Sequence, residues 1–297
     1  MRYPRFVRLG SMAVLLCLTL SARAQGILYR AEGSAGLAGS EIYLLGSVHY
    51  GRDDMYPLPA QVDAAFDAAQ VMLVEIDILN LDSAQVGKLM AERGYYPPGD
   101  SLQRRLQPAH WERLTSVLGK VGMNEALIAR MRPWMAAITI VDVLAREQGL
   151  SAERGIDLHL LQRTRSRPKT IVSLETLDSQ LRVFWELDPD QQVQYLTGEL
   201  ERLDESQHVL ADMIELWKRG DGPGIDALLH QSMVGRGLDS LYERLIVQRN
   251  RDMLAAVLEH ARAHERLLVV VGVGHLVGKT GLVEGLRQAG FEVEKQL

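Results

Sequence analysis

Cysteine is almost missing from this sequence: its 297 residues include one, Cys17, inside a stretch that reads as a leader. Arg2, Arg5 and Arg8 form a basic start, Met12 to Leu20 is an apolar core of signal-peptide length, and Ala22-Arg23-Ala24 fits an A-x-A cleavage site before Gln25. Leu15-Leu16 lacks the small residue that lipidation at Cys17 would want. Residues 1–24 are therefore expected to be a cleaved signal peptide, and the mature protein to be periplasmic or secreted. A mature chain without cysteine has no disulfide and no thiolate metal site, so any metal must be held by imidazole and carboxylate. Basic excess is missing too. The chain has 33 Lys and Arg against 38 Asp and Glu, and removal of Arg2, Arg5, Arg8 and Arg23 leaves 29 basic residues and a net charge of −9. That balance speaks against nucleic acid and anionic membrane surfaces as partners. After the leader no apolar run approaches the ~20 residues of a membrane span, and no low-complexity tract occurs.

What the chain does contain is a repeated strand ending. Leu267 to Val271 is a β-branched apolar run that stops on Gly272-Val273-Gly274-His275, and IYLLGSVHYG at 42–51 ends the same way in Gly46-Ser47-Val48-His49. Ligand sites of open sheets lie outside the carboxyl ends of strands, so both histidines are expected at one pocket and both strands in one domain over residues 25–297. Strands are also expected at 27–32, at 71–77 (VMLVEID), at 170–174 (TIVSL) and, as an edge, from 291. Helices are expected at 60–69, over most of 81–167 with breaks at 96–99 and 132–134, from 176 to about 265, and at 281–289. Glu75 and Asp77 alternate along the third strand and would face one side.

Glu75 is the sharpest single signal, because a carboxylate within an apolar strand must be protonated, paired or metal-bound. His49, His275 and Glu75 make two imidazoles and one carboxylate, the set that catalytic divalent metals use with a position left for water. The alternative reading is two histidines that bond the sheet ends and an internal pair between Glu75 and Arg249. Arg249 and Asn250 interrupt the apolar stripe of the helix expected from about 238 to 263, so Arg249 must meet a carboxylate or a ligand. Three other patterns fail on spacing. GVGHLVG has Val277 where a dinucleotide fingerprint needs glycine, G-K-T at 278–280 has Val273 where a phosphate loop needs glycine, and His260 and His264 lack the H-E-x-x-H glutamate.

These segments resemble the TraB/PrgY/GumN family, which includes the Tiki proteins. The likeness runs through YLLGSVHYG, MYPLP, LVEID, RMRPWMAA, GIDLHLL, SLETLDSQL, Arg249-Asn250 and the stretch from VVVGVGHLVG to FEVE. It implies an α/β fold, a central mixed sheet flanked by many helices, shared with haem-binding ChaN proteins and erythromycin esterases. Tiki proteins are described as metal-dependent proteases, which implies an exported metallohydrolase, peptidase-like, with peptide or ester substrates. His49, Glu75 and His275 would hold one divalent ion (zinc, manganese or cobalt). Asp77 would be a fourth ligand or orient an imidazole, Arg249 and Asn250 would stabilise an oxyanion, and Glu175 would be the base or a helix-end carboxylate. The esterases imply an alternative in which His49 acts as a base oriented by Glu75 without metal, and the haem-binding relatives imply a non-catalytic peptide- or haem-binding protein.

Overall fold

The computed structural model describes residues 25–34 and 39–297. The expected signal peptide and the middle of the loop after the first strand lie outside the described residues. Strands β1 (Ile27–Gly33) and β2 (Glu41–Ser47) come first, followed by helix α1 (Ala60–Ala68) and β3 (Val71–Val74). A helical stretch then separates β3 from the next strand: α2 (Ser83–Arg93), α3 (Pro108–Gly119), α4 (Glu125–Arg130), α5 (Pro133–Glu147) and α6 (Ile156–Arg163). After β4 (Thr170–Ser173) a second helical stretch holds α7 (Leu177–Trp185), α8 (Pro189–Glu201), α9 (Leu203–Lys218), α10 (Gly222–Met233), α11 (Asp239–Tyr242) and α12 (Arg249–Ala263). The chain closes with β5 (Arg266–Gly272), α13 (Leu282–Gln288) and β6 (Phe291–Lys295).

The strands form one mixed sheet in the order β4-β3-β5-β2-β1-β6. β4, β3, β5 and β2 are parallel neighbours, whereas β1 runs antiparallel to both β2 and β6. The run Leu267–Val271 is central, and each of its five side chains is buried, as a strand covered on both faces requires. Its register pairs Val270 with Leu45 on one side and with Val74 on the other. Four parallel strands therefore end at the same level, and both G-x-x-H segments leave the sheet from that edge.

Helix starts follow local chemistry. Pro133 opens α5 at a position where its missing N–H costs nothing, and Thr176 caps α7 by accepting from the Ser179 N–H. A second apolar core forms among the inserted helices, around Leu114, Ile128, Ile140, Leu196 and Leu200. No helix among the described residues is long and apolar enough to cross a membrane.

Two expectations needed correction. β3 stops at Val74 rather than running to residue 77, because the chain turns at Asp77, whose carboxylate accepts from the Leu79 N–H and the Asn80 amide. The alternation that was to place Asp77 beside Glu75 therefore does not operate, and Asp77 serves its own turn. The helix expected from 238 is α11 and α12 joined by a π-helical turn over Glu243–Gln248, immediately before Arg249.

Candidate active site at the carboxyl ends of the parallel strands

The glycines of the two G-x-x-H segments have packing reasons. A Cβ on Gly46 would lie 2.7 Å from Cγ2 of Val273, so the first motif closes against the second only without a side chain there. A Cβ on Gly272 would lie 3.1 Å from Glu75 Oε1, 3.7 Å from His275 Cδ2 and 3.8 Å from His49 Nε2. Gly272 is thus the floor on which His49, Glu75 and His275 converge.

Each histidine is held from behind. His275 is buried, and its Nδ1 lies 2.6 Å from Asn250 Oδ1, while the Asn250 amide nitrogen donates to the Thr280 carbonyl at 2.8 Å. Because Oδ1 can only accept, Nδ1 carries the proton and Nε2 has a bare lone pair. That Nε2 faces Glu75 Oε1 across 3.9 Å. Burial lowers the His275 pKa to about 4, so the ring is neutral at ordinary pH. His49, with half of its side chain open to solvent, has Nδ1 2.9 Å from Asp157 Oδ2. Burial in the crowded mouth opposes protonation of His49. The hydrogen bond and charge of Asp157, helped by Glu75, outweigh it and raise the pKa to about 9.

Glu75 is 6% exposed and fully engaged. Oε1 accepts from the Gly272 N–H at 2.6 Å, and Oε2 accepts from the Gln180 amide at 2.8 Å and from Arg249 Nη2 at 2.7 Å. Burial alone would raise its pKa, but His275, His49, Arg249 and the Gly272 N–H together hold it down to about 2. Arg249 also reaches Glu175, with Nε 2.8 Å from Oε1 and Nη2 2.6 Å from Oε2, and Nη1 donates to the Leu245 carbonyl. Backbone geometry sets the two glutamates side by side, since the Glu175 N–H donates to the Glu75 carbonyl. One guanidinium therefore answers two carboxylates, and the strand ends keep an excess of negative charge. The internal pair between Glu75 and Arg249 is present, and Glu175 is the second arm of that pair while Thr176 caps α7.

A cavity of about 250 Å³ opens beside these groups, lined by Ser47, His49, Glu75, Ile78, Asp157 and Gln180 among others. Two buried polar atoms in it, Ser47 Oγ and Asp157 Oδ1, have no hydrogen-bond partner among the described residues. The residues that sequence reasoning did not single out are Asp157, Gln180 and Ser47. Each lies within a segment carrying the family likeness (GIDLHLL, SLETLDSQL and YLLGSVHYG), but their partners are distant in sequence.

Among the described residues no three His, Cys, Asp or Glu side chains are gathered closely enough to hold a metal ion as they stand. The chemistry and orientation of the donors fit a divalent cation nonetheless. Both imidazoles have their Nδ1 atoms engaged, and the neutral Nε2 of His275 faces a carboxylate oxygen, two acceptors that a cation, a proton or a water donating to both would bridge. His49, Glu75 and His275 are the residues that would hold such an ion, with the His275 and Glu75 donors 3.9 Å apart as they stand.

Fold and site define an α/β protein with a histidine–histidine–glutamate cluster at its strand ends. The chain belongs to the TraB/PrgY/gumN family, whose model matches residues 27–295. It is 28% identical over 248 residues to the uncharacterized protein YbaP of Escherichia coli strain K12, covering 82% of this chain and 87% of YbaP. The YbaP of Shigella flexneri is similar to the same extent. No solved structure matches.

Proposed function

We propose that the chain is an exported metal-dependent hydrolase, peptidase-like, with His49, Glu75 and His275 as the ligands of one divalent ion such as zinc, manganese or cobalt. The observation that carries this reading is the lone pair of His275 Nε2 held toward the Glu75 carboxylate by the Asn250 bond behind it. Such an ion supplies Lewis acidity, polarising a carbonyl and making water nucleophilic near neutral pH. The chain's own residues supply the rest. Asp157 and Asn250 orient the two imidazoles, and Gln180, Arg249 and the Gly272 N–H fix the Glu75 carboxylate. Arg249 and Asn250 are spent on these contacts, which makes them positioning residues in place of the oxyanion donors expected. Ser47 Oγ and Asp157 Oδ1 offer free hydrogen-bonding capacity to a water or a substrate polar group in the cavity.

A second reading rests on His49 itself. Its bond to Asp157 is the histidine–carboxylate pair of a general base, with Asp157 rather than Glu75 as the orienting group, and with a His49 pKa of about 9 such a site would hydrolyse esters without metal fastest at alkaline pH.

Elemental analysis of the purified mature protein separates the two. About one divalent ion per chain is expected, falling sharply in His49→Ala and His275→Ala, with hydrolysis of a peptide and ester panel lost on chelation and restored by zinc, manganese or cobalt. Hydrolysis unaffected by chelation in a metal-free sample would sink the metallohydrolase reading in favour of the metal-free one. Bound metal without turnover of any substrate would instead favour a binding protein.

A further inference from the structure

The cavity beside Glu75 adjoins, across Ile76, a larger groove of about 530 Å³. One wall is α2, where Val86 and Leu89 line the groove, and the facing wall is the start of α7 with Leu177. Ser173 at the end of β4 lies between them. Three features of this groove are unused by the hydrolytic machinery.

The first is α2, an amphipathic helix with no buried residue, whose apolar stripe Val86-Leu89-Met90 is only half covered. The second is β4, the last strand of the sheet, which pairs with β3 on one side and, among the described residues, with no strand on the other. Leu174 spends its N–H on the Val74 carbonyl at 2.8 Å. In a parallel ladder the alternate residues, here Ile171 and Ser173, turn their backbone groups to the free edge. The third is charge. Asp77, Asp82, Glu175 and Asp178 line the groove, and among the described residues no lysine or arginine does. Glu175 and Asp178 have arginine partners. Asp77 and Asp82 are bonded only to backbone N–H groups and the Asn80 amide.

We propose that this groove binds an extended peptide as an added strand on the free edge of β4. An apolar side chain would lie between α2 and the start of α7, and a lysine or arginine would sit on the acidic rim. Main-chain bonds to an edge strand give affinity with little regard to sequence, and pockets for alternate side chains give preference. Asp77 and Asp82 supply the charge complementarity that selects a basic peptide. The inference rests on the peptidase-like reading, since it runs the bound strand toward the cavity that holds His49 and Glu75.

Fluorescence anisotropy of the purified mature protein with short labelled peptides tests it. Leucine peptides carrying lysine are expected to bind about tenfold more tightly than the same peptides carrying glutamate, with the advantage shrinking as salt rises. Asp77→Asn keeps the acceptor for the Leu79 N–H and should erase most of that preference. Leu89→Arg and, separately, Val86→Arg should weaken binding of the lysine peptides about tenfold, with thermal melts confirming that each variant is folded. Equal binding of lysine and glutamate peptides, or undiminished binding by folded Leu89→Arg and Val86→Arg, overturns the groove even if metal-dependent hydrolysis persists. Selective binding that depends on these residues without any hydrolysis upholds the groove and sinks the peptidase-like reading.

Discussion

His49 and His275 occupy equivalent places in two copies of one motif, yet the folded protein gives them opposite charge states. Asp157 lifts His49 to about 9, while burial takes His275 down to about 4. In metal-free protein at pH 6.5, imidazole NMR is therefore expected to show His49 protonated and His275 neutral. Asp157→Asn should lower the His49 value while leaving that of His275 nearly in place; a His49 titration unchanged by this variant would remove Asp157 from its role. The shifts also have a sign in stability. His49, raised above its ordinary 6.5, contributes stability that is complete below pH 6.5 and lost as pH climbs through 9. His275 and Glu75 are depressed below 6.5 and 4.5, so their contributions are present above those values and lost as pH falls toward 4 and 2. Denaturant midpoints of the metal-free protein should accordingly fall away on both sides of neutrality, and a midpoint still rising between pH 6.5 and 9 would contradict the His49 assignment.

At the scale of elements, the site depends on a helix that changes pitch where it meets the sheet. The π-helical turn over Glu243–Gln248 immediately precedes Arg249 and Asn250, adjacent residues that serve different partners, the two glutamates and His275. Arg249→Ala leaves Glu75 and Glu175 buried without their cation, and urea denaturation is expected to show a loss of about 3 to 5 kcal/mol. Asn250→Ala removes one hydrogen-bond acceptor, so metal affinity should fall about 10- to 100-fold. If Arg249→Ala kept full stability, the guanidinium would be free for substrate rather than committed to the fold. Much of this was readable in advance. The runs at 42–46, 71–74 and 267–271 are apolar enough to declare buried strands, and the G-x-x-H endings and Glu75 declare a site beyond them. The end of β3, the π-helical turn and the Asp157 partnership were not readable: the first is set by a turn at Asp77 that an alternating pattern hides, and the last by a distant neighbour. Asp157 meets His49 across 108 positions, and the apolar period of the 238–263 stretch cannot distinguish a helix with one wide turn from a regular one.

The whole molecule draws its site from His49, Glu75, Asp157, Glu175, Arg249 and His275, so no local fragment assembles it, and the start of the described chain is tied to the same construction. Gln25 donates its N–H to the Lys218 carbonyl at 2.8 Å. Gly26 has φ +73°, a conformation that a side chain would strain, and a Cβ there would stand 3.3 Å from the Trp217 ring. Trp217 in turn donates its indole N–H to the Gly46 carbonyl at 2.7 Å, at the head of the first G-x-x-H segment. Cleavage after Ala24 would convert the Gln25 N–H to an ammonium that still donates to Lys218, so processing there is compatible with the anchored start. Mass spectrometry of the protein recovered from the exported fraction is expected to show a chain beginning at Gln25. Removal of residues 25–27 should go further than trimming a tail, because it deletes a wholly buried Ile27, worth about 1.5 to 3 kcal/mol, and the contact over Trp217. A lower melting temperature and weaker metal retention are expected for that truncation. An intact Met1 on protein that stays in the cytoplasm would defeat the export reading. A truncation as stable as the mature protein would show that the Trp217 contact does not brace the first histidine segment.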